Sequence, residues 1–299
     1  MRDKKTIIYI LIITVLVAVL GGLWVLIVKT VNGEMSNDEG EMAMDSNNSI
    51  SYSAVKEITT DEEIDDEEFS STNSDENAIL ATGNISATLS NITVKKTGDS
   101  DGGDNTSFYG NNSAILAKGG ASLTIKNAKI ITDATGANGV FSYGGSATTE
   151  NASSDGTTVN ISDSTIKTSK DNSGGIMTTG GGVMNAENLT IETAGTSSAA
   201  IRSDRGGGTV TLNMTNQKAT GDIVVDEISS LTMNLSDGSS FKGAINNSNT
   251  GEVTLKLDKT SKITLTGDTY VKSLENADTT NSNINLNGYK LYVNGVELE

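Results

Sequence analysis

The chain has 299 residues and a formal net charge of −17, and it contains neither cysteine nor histidine. The lack of cysteine excludes disulfides, thiolate chemistry and lipoprotein acylation, and the lack of histidine excludes Ser-His triads and most zinc sites. Because the sequence contains no basic patch, nucleic acid is also excluded as a partner.

The first predicted element is a transmembrane signal anchor over residues 6–28, an uncharged run dominated by Ile, Leu and Val. As a helix this run is about 34 Å long, enough to span a bilayer. A cleaved signal peptide is the alternative, but its apolar region is shorter and ends at a small-residue site. The basic residues Arg2, Lys4 and Lys5 predict a cytoplasmic N-terminus over residues 1–5. We therefore expect a single-pass protein of the cell membrane, with everything after residue 29 extracellular.

Residues 29–51 are predicted to form an acidic extracellular linker. The stretch from Val31 to Glu76 contains fifteen acidic residues and only one basic residue, Lys56. Like charges in runs such as 61–68 repel each other and keep a chain extended. We interpret this acidic stretch as a solvated spacer between the membrane and the rest of the chain. A low-affinity cation-binding segment is the alternative.

Residues 52–299 carry a short signature that returns five times: a small residue followed by two residues that are mostly apolar. The intervals between its starts are 36, 25, 36 and 24 residues, which is typical of stacked structural repeats. The five copies are Ala78-Ile79-Leu80, Ala114-Ile115-Leu116, Gly139-Val140-Phe141, Gly175-Ile176-Met177 and Ala199-Ala200-Ile201.

The segments between these copies alternate apolar and polar residues, as in 231–235 and 253–257, and Gly, Asn, Asp and Ser separate them. This pattern predicts half-buried strands joined by tight turns, and the absence of proline lets every residue donate to a ladder. The fold class is therefore all-β, a parallel β-helix (β-solenoid) with 25 residues per coil. A β-sandwich is the alternative. The 36-residue intervals predict projecting loops at 97–112 and 145–157.

Further rows predict stacking from coil to coil. Val94, Ile130, Ile166 and Ile191 end equivalent strands, and Thr132, Thr168 and Thr193 follow the last three. We expect these threonines, and likewise Asn127 and Asn188, to form ladders. Near the C-terminus, Asn287-Gly288 and Asn294-Gly295 each predict a hairpin. Residues 284–298 are therefore expected to form a cap on the stack.

Candidate ligand-binding residues are Arg202, Asp204 and Arg205, which precede three glycines. The planar guanidinium group of arginine pairs with carboxylates and stacks on flat rings, and the glycines would let a ligand approach the backbone. The alternative is an ion pair of Asp204 with arginine that locks a turn. Tyr109 and Tyr143 flank the predicted loops and could support a sugar ring; stacking between coils is the alternative.

A candidate metal site consists of Asp99, Asp101 and Asp104. Alternating aspartates in a glycine-rich loop favour calcium, which prefers hard oxygen ligands. The loop lacks the later bidentate glutamate of an EF-hand, and a solvated loop is the alternative. No other cofactor is expected.

Several segments resemble bacterial cell-surface right-handed parallel β-helix proteins of the pectin-lyase-like, adhesin-like family. The resemblance extends over residues 52–299 and rests on 75–80, 105–110, 197–208, 265–271 and 287–289. It implies a right-handed helix and a role at the cell surface. No polysaccharide-lyase catalytic pattern is present, so no catalytic residue carries over.

These features predict a membrane-anchored extracellular β-helix that acts in surface binding or adhesion to a glycan or a surface protein. The two loops, with Arg202, Asp204 and Arg205, are expected to form one lateral face. A carbohydrate-active lyase or hydrolase is one alternative, and a passive envelope spacer is another.

Overall fold

The computed structural model describes residues 50–100, 103–145, 154–203 and 208–298, and residues 50–299 form one compact unit. Within this part of the chain no helix has the length and apolar character needed to cross a membrane. The predicted anchor at 6–28, the cytoplasmic segment 1–5 and nearly all of the linker at 29–51 lie outside the described residues.

Three long parallel sheets, A, B and C, make up most of the described structure, and the strands are numbered in chain order. Sheet A contains β1 (Ser53–Ile58), β4 (Glu76–Thr82), β7 (Ile115–Lys118), β10 (Val140–Tyr143), β13 (Ile176–Thr179), β16 (Ala199–Ser203) and β19 (Asp222–Val225). Sheet B contains β2 (Glu62–Asp65), β5 (Ser86–Ser90), β8 (Ser122–Lys126), β11 (Thr158–Ser162), β14 (Val183–Glu187), β17 (Thr209–Thr215), β20 (Ser230–Ser236), β22 (Glu252–Leu257) and β25 (Ser273–Asn276).

Sheet C contains β3 (Glu68–Ser71), β6 (Thr93–Lys96), β9 (Lys129–Thr132), β12 (Thr165–Thr168), β15 (Thr190–Thr193), β18 (Lys218–Thr220), β21 (Ser240–Lys242), β23 (Lys262–Thr264) and β26 (Ile284–Asn285). Successive strands go to sheets A, B and C in turn, so most coils add one strand to each sheet. This is the arrangement of a parallel β-helix. A short helix, α1 (Asp104–Ser107), lies between β6 and β7.

The core lies inside the coil and follows from the alternation within each strand. Ile79, Ile115, Val140 and Ile176 are in register on neighbouring strands of sheet A, and all four are fully buried. The predicted row of Val94, Ile130, Ile166 and Ile191 is likewise in register in sheet C. Thr132, Thr168 and Thr193 are also in register, so this ladder is confirmed.

The fifth copy of the repeat is displaced by one residue from its predicted position. Ile176 pairs with Ile201, so the equivalent triplet is Ala200-Ile201-Arg202 rather than the one that begins at Ala199. The register between β16 and β19 shifts between Ala199 and Ile201, as at a β-bulge. The true interval is therefore a full coil of 25 residues.

After the first seven strands of sheet B, a single left-handed residue turns the chain toward sheet C. These residues follow the sheet B strands directly, and their φ values lie between 51° and 57°: Asp66, Asn91, Asn127, Asp163, Asn188, Asn216 and Asp237. Asn and Asp tolerate this conformation better than other non-glycine residues. Their side chains also pair between coils, as where the amide Nδ2 of Asn188 donates to the carboxylate Oδ1 of Asp163 at 3.0 Å.

The expectation that residues 61–68 belong to an extended spacer is wrong. They contain β2 and the start of β3, which are end strands of sheets B and C and bury Ile64 and Phe69. The acidic side chains Glu63, Asp65 and Glu68 point away from the core and are exposed. Charges on an end strand discourage pairing with another chain, which gives this acidity a structural role.

The C-terminal cap contains one of the two predicted hairpins. Asn294-Gly295 joins β27 (Leu291–Val293) and β28 (Val296–Glu297), which are antiparallel, so this prediction is confirmed. Asn287-Gly288 is instead a corner, because β26 and β27 each pair in parallel with an earlier strand. The partner of β27 is β24 (Thr269–Val271). The same left-handed turn can therefore form a corner when parallel partners are already in place.

Candidate functional site

The outer face of sheet A carries a buried apolar row, which is unusual for the outside of a coil. Leu80, Leu116, Phe141 and Met177 are in register on neighbouring strands and all are less than 5% exposed. Together they form an apolar cluster separate from the core inside the coil. Because these side chains point outward, another part of the chain must cover them.

Residues 97–112, here called the covering segment, provide that cover in their described part. Gly110 lies so close to the sheet that a Cβ atom built on it would be 2.6 Å from Leu116 Cδ1. The same atom would be 2.9 Å from Phe141 Cγ. Thr179 Oγ1 donates a hydrogen bond to the carbonyl of Phe108 at 2.7 Å and fixes the segment on the sheet. This loop was predicted to project, but it folds back because it buries the outer apolar row.

The buried ammonium group of Lys96 ties the two ends of the covering segment to the coil. Lys96 Nζ donates hydrogen bonds to the carbonyls of Asn73 and Gly98, both at 2.7 Å, and the residue is fully buried. The Gly98 carbonyl also accepts a hydrogen bond from Asn112 Nδ2 at 2.9 Å. Desolvation lowers the pKa of Lys96 to about 8, against the opposing effect of nearby acidic groups such as Glu76.

Tyr109 and Tyr143 are brought together at the edge of this cover. Their ring centroids are 5.5 Å apart and the rings are nearly perpendicular, an edge-to-face contact. Tyr52 joins them, since its hydroxyl donates to the Tyr109 carbonyl at 3.0 Å. Lys118 Nζ lies 4.4 Å from the centre of the Tyr52 ring, within cation–π range. We call Tyr52, Tyr109, Lys118 and Tyr143 the tyrosine patch.

Two hydroxyl groups of the tyrosine patch, those of Tyr52 and Tyr143, hold their protons more tightly than a free tyrosine does. Burial is the main cause that raises the pKa of both Tyr52 and Tyr143, and the neighbouring tyrosines add to it. All four side chains remain partly exposed. The patch therefore offers half-buried ring surfaces, neutral hydroxyl groups and one ammonium group to a ligand in solution.

Arg202 lies on the same outer face, one coil beyond Met177, with which it is in register. It lines a small pocket with Ser107 of the covering segment and Asn138. Asp204 and Arg205 lie outside the described residues, as does most of the second predicted loop. The structure thus brings Tyr109 and Tyr143 into contact and places Arg202 on the same sheet face.

The three aspartates of the predicted calcium loop are not described together. Asp99 Oδ1 accepts a hydrogen bond from the Thr135 backbone at 2.7 Å, Asp104 begins α1, and Asp101 lies outside the described residues. Within the described ranges no group of three acidic side chains is suited to hold a metal ion. The calcium site therefore stays a prediction.

Sequence reasoning missed two members of the tyrosine patch, Tyr52 and Lys118. Lys118 could have been found from the repeat, because it is two residues beyond the second triplet, as Tyr143 is beyond the third. Tyr52 carries no such signal, since it precedes β1 and reaches the patch only through the tertiary fold.

Comparisons with protein-family models, with curated proteins and with solved structures find no match to this chain.

Proposed function

We propose that this chain is a membrane-anchored cell-surface protein that binds a glycan at the tyrosine patch. The observation that carries the proposal is the edge-to-face contact of Tyr109 with Tyr143, which come from the covering segment and from β10. Partly exposed aromatic rings with neutral hydroxyl groups suit a sugar, which has an apolar face and a polar rim.

A glycan suits the patch better than a folded protein does. Stable protein–protein interfaces bury about 800 Å² on each partner, whereas this patch consists of four partly buried side chains. Arg202 lies on the same sheet face, one coil beyond Met177, and its planar guanidinium group could bind a carboxylate or stack on a second ring. Asp204 and Arg205 remain candidate neighbours of the patch.

The family and the location belong to the same proposal. The resemblance to right-handed, pectin-lyase-like surface proteins is supported by the three parallel sheets, and parallel crossovers strongly prefer the right hand. Residues 6–28 would anchor the chain with its N-terminus in the cytoplasm. We expect the full-length chain to stay in the membrane pellet after carbonate washing and a variant lacking residues 6–28 to be released.

A glycan array probed with the full-length chain in a polyoxyethylene detergent tests the binding function. We expect a defined subset of glycans to be bound and Tyr143→Ala to lose that binding. Tyr289→Ala is the matched control, because Tyr289 is an exposed tyrosine on the C-terminal cap. Each bound glycan is then incubated with the chain and assayed for new reducing or unsaturated ends. Glycan binding that is unchanged in Tyr143→Ala contradicts the proposal, and so does cleavage of the bound glycan.

A further inference from the structure

The outer face of sheet B differs in chemistry from the tyrosine patch, because its described strands contain no aromatic residue. Two polar rows run along this face from coil to coil. The first row is Thr88, Thr124, Asn160, Asn185, Thr211, Thr232 and Thr254; the second is Ser90, Lys126, Ser162, Glu187, Asn213, Asn234, Lys256 and Glu275. None of these side chains is buried.

A shallow groove runs between the two rows. In one part it is lined by Asn160, Ser162, Asn185 and Glu187. Further along the stack a second groove lies on the other side of the second row. Its polar lining includes Asn234, Lys256, Asp258 and Glu275, and its apolar lining is Leu235, Leu257 and Ala277. From Lys126 to Glu275 the second row crosses seven strands, about 29 Å at the usual strand spacing. We call these two grooves, together with the second row, which lines both of them, the polar trough.

The amides of the polar trough are ordered and still have hydrogen-bonding capacity. Asn185 Nδ2 donates to Asn160 Oδ1 at 2.9 Å, and Asn234 Nδ2 donates to Asn213 Oδ1 at 2.7 Å. Each amide has two donor hydrogens and two acceptor lone pairs, so one bond to a neighbour leaves the others available. The orientation of these groups is thus set before a ligand arrives, which reduces the entropy lost on binding.

The charges in the polar trough nearly cancel, since Lys126 and Lys256 are offset by Glu187, Glu275 and Asp258. Lys256 Nζ pairs with Glu275 Oε1 at 3.0 Å, and Lys126 lies two coils from Glu187 in the same row. The chain as a whole carries −17, which repels polyanions. A neutral ligand rich in hydroxyl groups therefore fits this surface better than an acidic polymer or a nucleic acid.

We infer that the polar trough is a second binding site, which holds a linear neutral polysaccharide along the axis of the solenoid. A polymer with a regular row of hydroxyl groups can meet an equivalent set of donors and acceptors on each coil. Many weak contacts then add up along the chain, so long polymers bind and single sugars do not. The inference is independent of the tyrosine patch and concerns a different face of the coil.

Affinity electrophoresis of the full-length chain in a polyoxyethylene detergent tests the inference. The native gels contain hydroxyethylcellulose, glucomannan or dextran as neutral polymers, and alginate as the acidic comparison. We expect at least one neutral polymer to retard the wild-type chain. Ser162→Trp, which fills the groove, should weaken that binding at least tenfold, and Asn185→Ala should weaken it about 2- to 10-fold through the lost hydrogen bonds.

Two control variants test whether the polar trough itself holds the polymer. Ser70→Trp makes the same change at an exposed serine on sheet C and should leave retardation unchanged. Tyr143→Ala should also leave it unchanged, whatever its effect on the glycan array. Retardation lost in Tyr143→Ala but kept in Ser162→Trp overturns the inference and supports the tyrosine patch. Retardation by alginate alone, or by no polymer, also overturns it.

Discussion

Asn127 lies directly above Asn91 at the corner between sheets B and C, and its Nδ2 atom donates to Asn91 Oδ1 at 2.6 Å. Asn91 Nδ2 in turn donates to the carboxylate Oδ1 of Asp65 at 2.7 Å, so one row of hydrogen-bonded side chains ties three coils together. Both asparagines have positive φ angles. Each of these asparagines thus serves both the turn of its own coil and the contact with the preceding coil.

This double role predicts different effects of two substitutions at Asn127. Asn127→Ala loses the ladder bond and also places a Cβ-bearing residue without a polar side chain in the left-handed region, which costs about 1–2 kcal/mol. Asn127→Gly loses only the ladder bond, because glycine adopts this conformation freely. We expect urea unfolding to show the alanine variant as the less stable of the two. Equal stability of the variants would contradict a conformational role for this corner.

A second prediction concerns the close approach of Gly110 to sheet A. Gly110→Ala introduces strain at a φ of 73° and a clash with Leu116 and Phe141. Gly83→Ala is a matched control, since its φ is 94° and nothing lies within 4 Å of a Cβ there. Both variants share the backbone strain of about 1–2 kcal/mol, and only Gly110→Ala should also loosen the covering segment.

Limited proteolysis measures this loosening. Cleavage within residues 97–112 should be faster in Gly110→Ala than in Gly83→Ala. If the two variants are cleaved there at the same rate, the covering segment does not depend on this contact.

A third prediction follows from the lowered pKa of Lys96. The folded state releases the ammonium proton near pH 8, whereas the unfolded chain holds it until about pH 10.5. Between these values the unfolded state binds more protons, so stability rises with pH. From pH 7 to pH 9.5 this contribution to the free energy of unfolding should grow by about 2 kcal/mol.

Lys96→Met removes the titrating group and serves as the reference. The free energy of unfolding is measured by urea titration at each pH. The value for the wild type minus the value for the variant should increase as the pH rises. The tyrosines are common to both proteins, so their contribution cancels in the difference. Parallel curves for the two proteins mean that the pKa of Lys96 is unperturbed.

The repeat in the sequence was sufficient to predict the parallel coil. The period-two strands fix which side chains face inward, and the triplets with Ile79, Ile115, Val140 and Ile176 align as the spacing predicts. The one-residue displacement at Ile201 could not be predicted, because Ala199 and Ala200 are equally small. The pairing between strands decides between them.

The candidate site was less predictable from the sequence than the coil. Tyr109 and Tyr143 could be singled out, but not their contact, which depends on the covering segment folding back onto Leu116 and Phe141. Leu116 and Phe141 look like ordinary core residues in the sequence. Lys96 occupies the position that Thr132 has one coil away. A charged residue in a row of small polar residues could have indicated a special contact at this position.

Isothermal titration of the strongest array glycan into the full-length chain tests the central claim, that the tyrosine patch is the binding surface. We predict that Tyr143→Ala lowers the affinity at least tenfold while Tyr143→Phe, which keeps the ring, lowers it far less. Tyr289→Ala should bind like the wild type. An affinity that stays the same in Tyr143→Ala, with the fold intact by circular dichroism, would contradict the account.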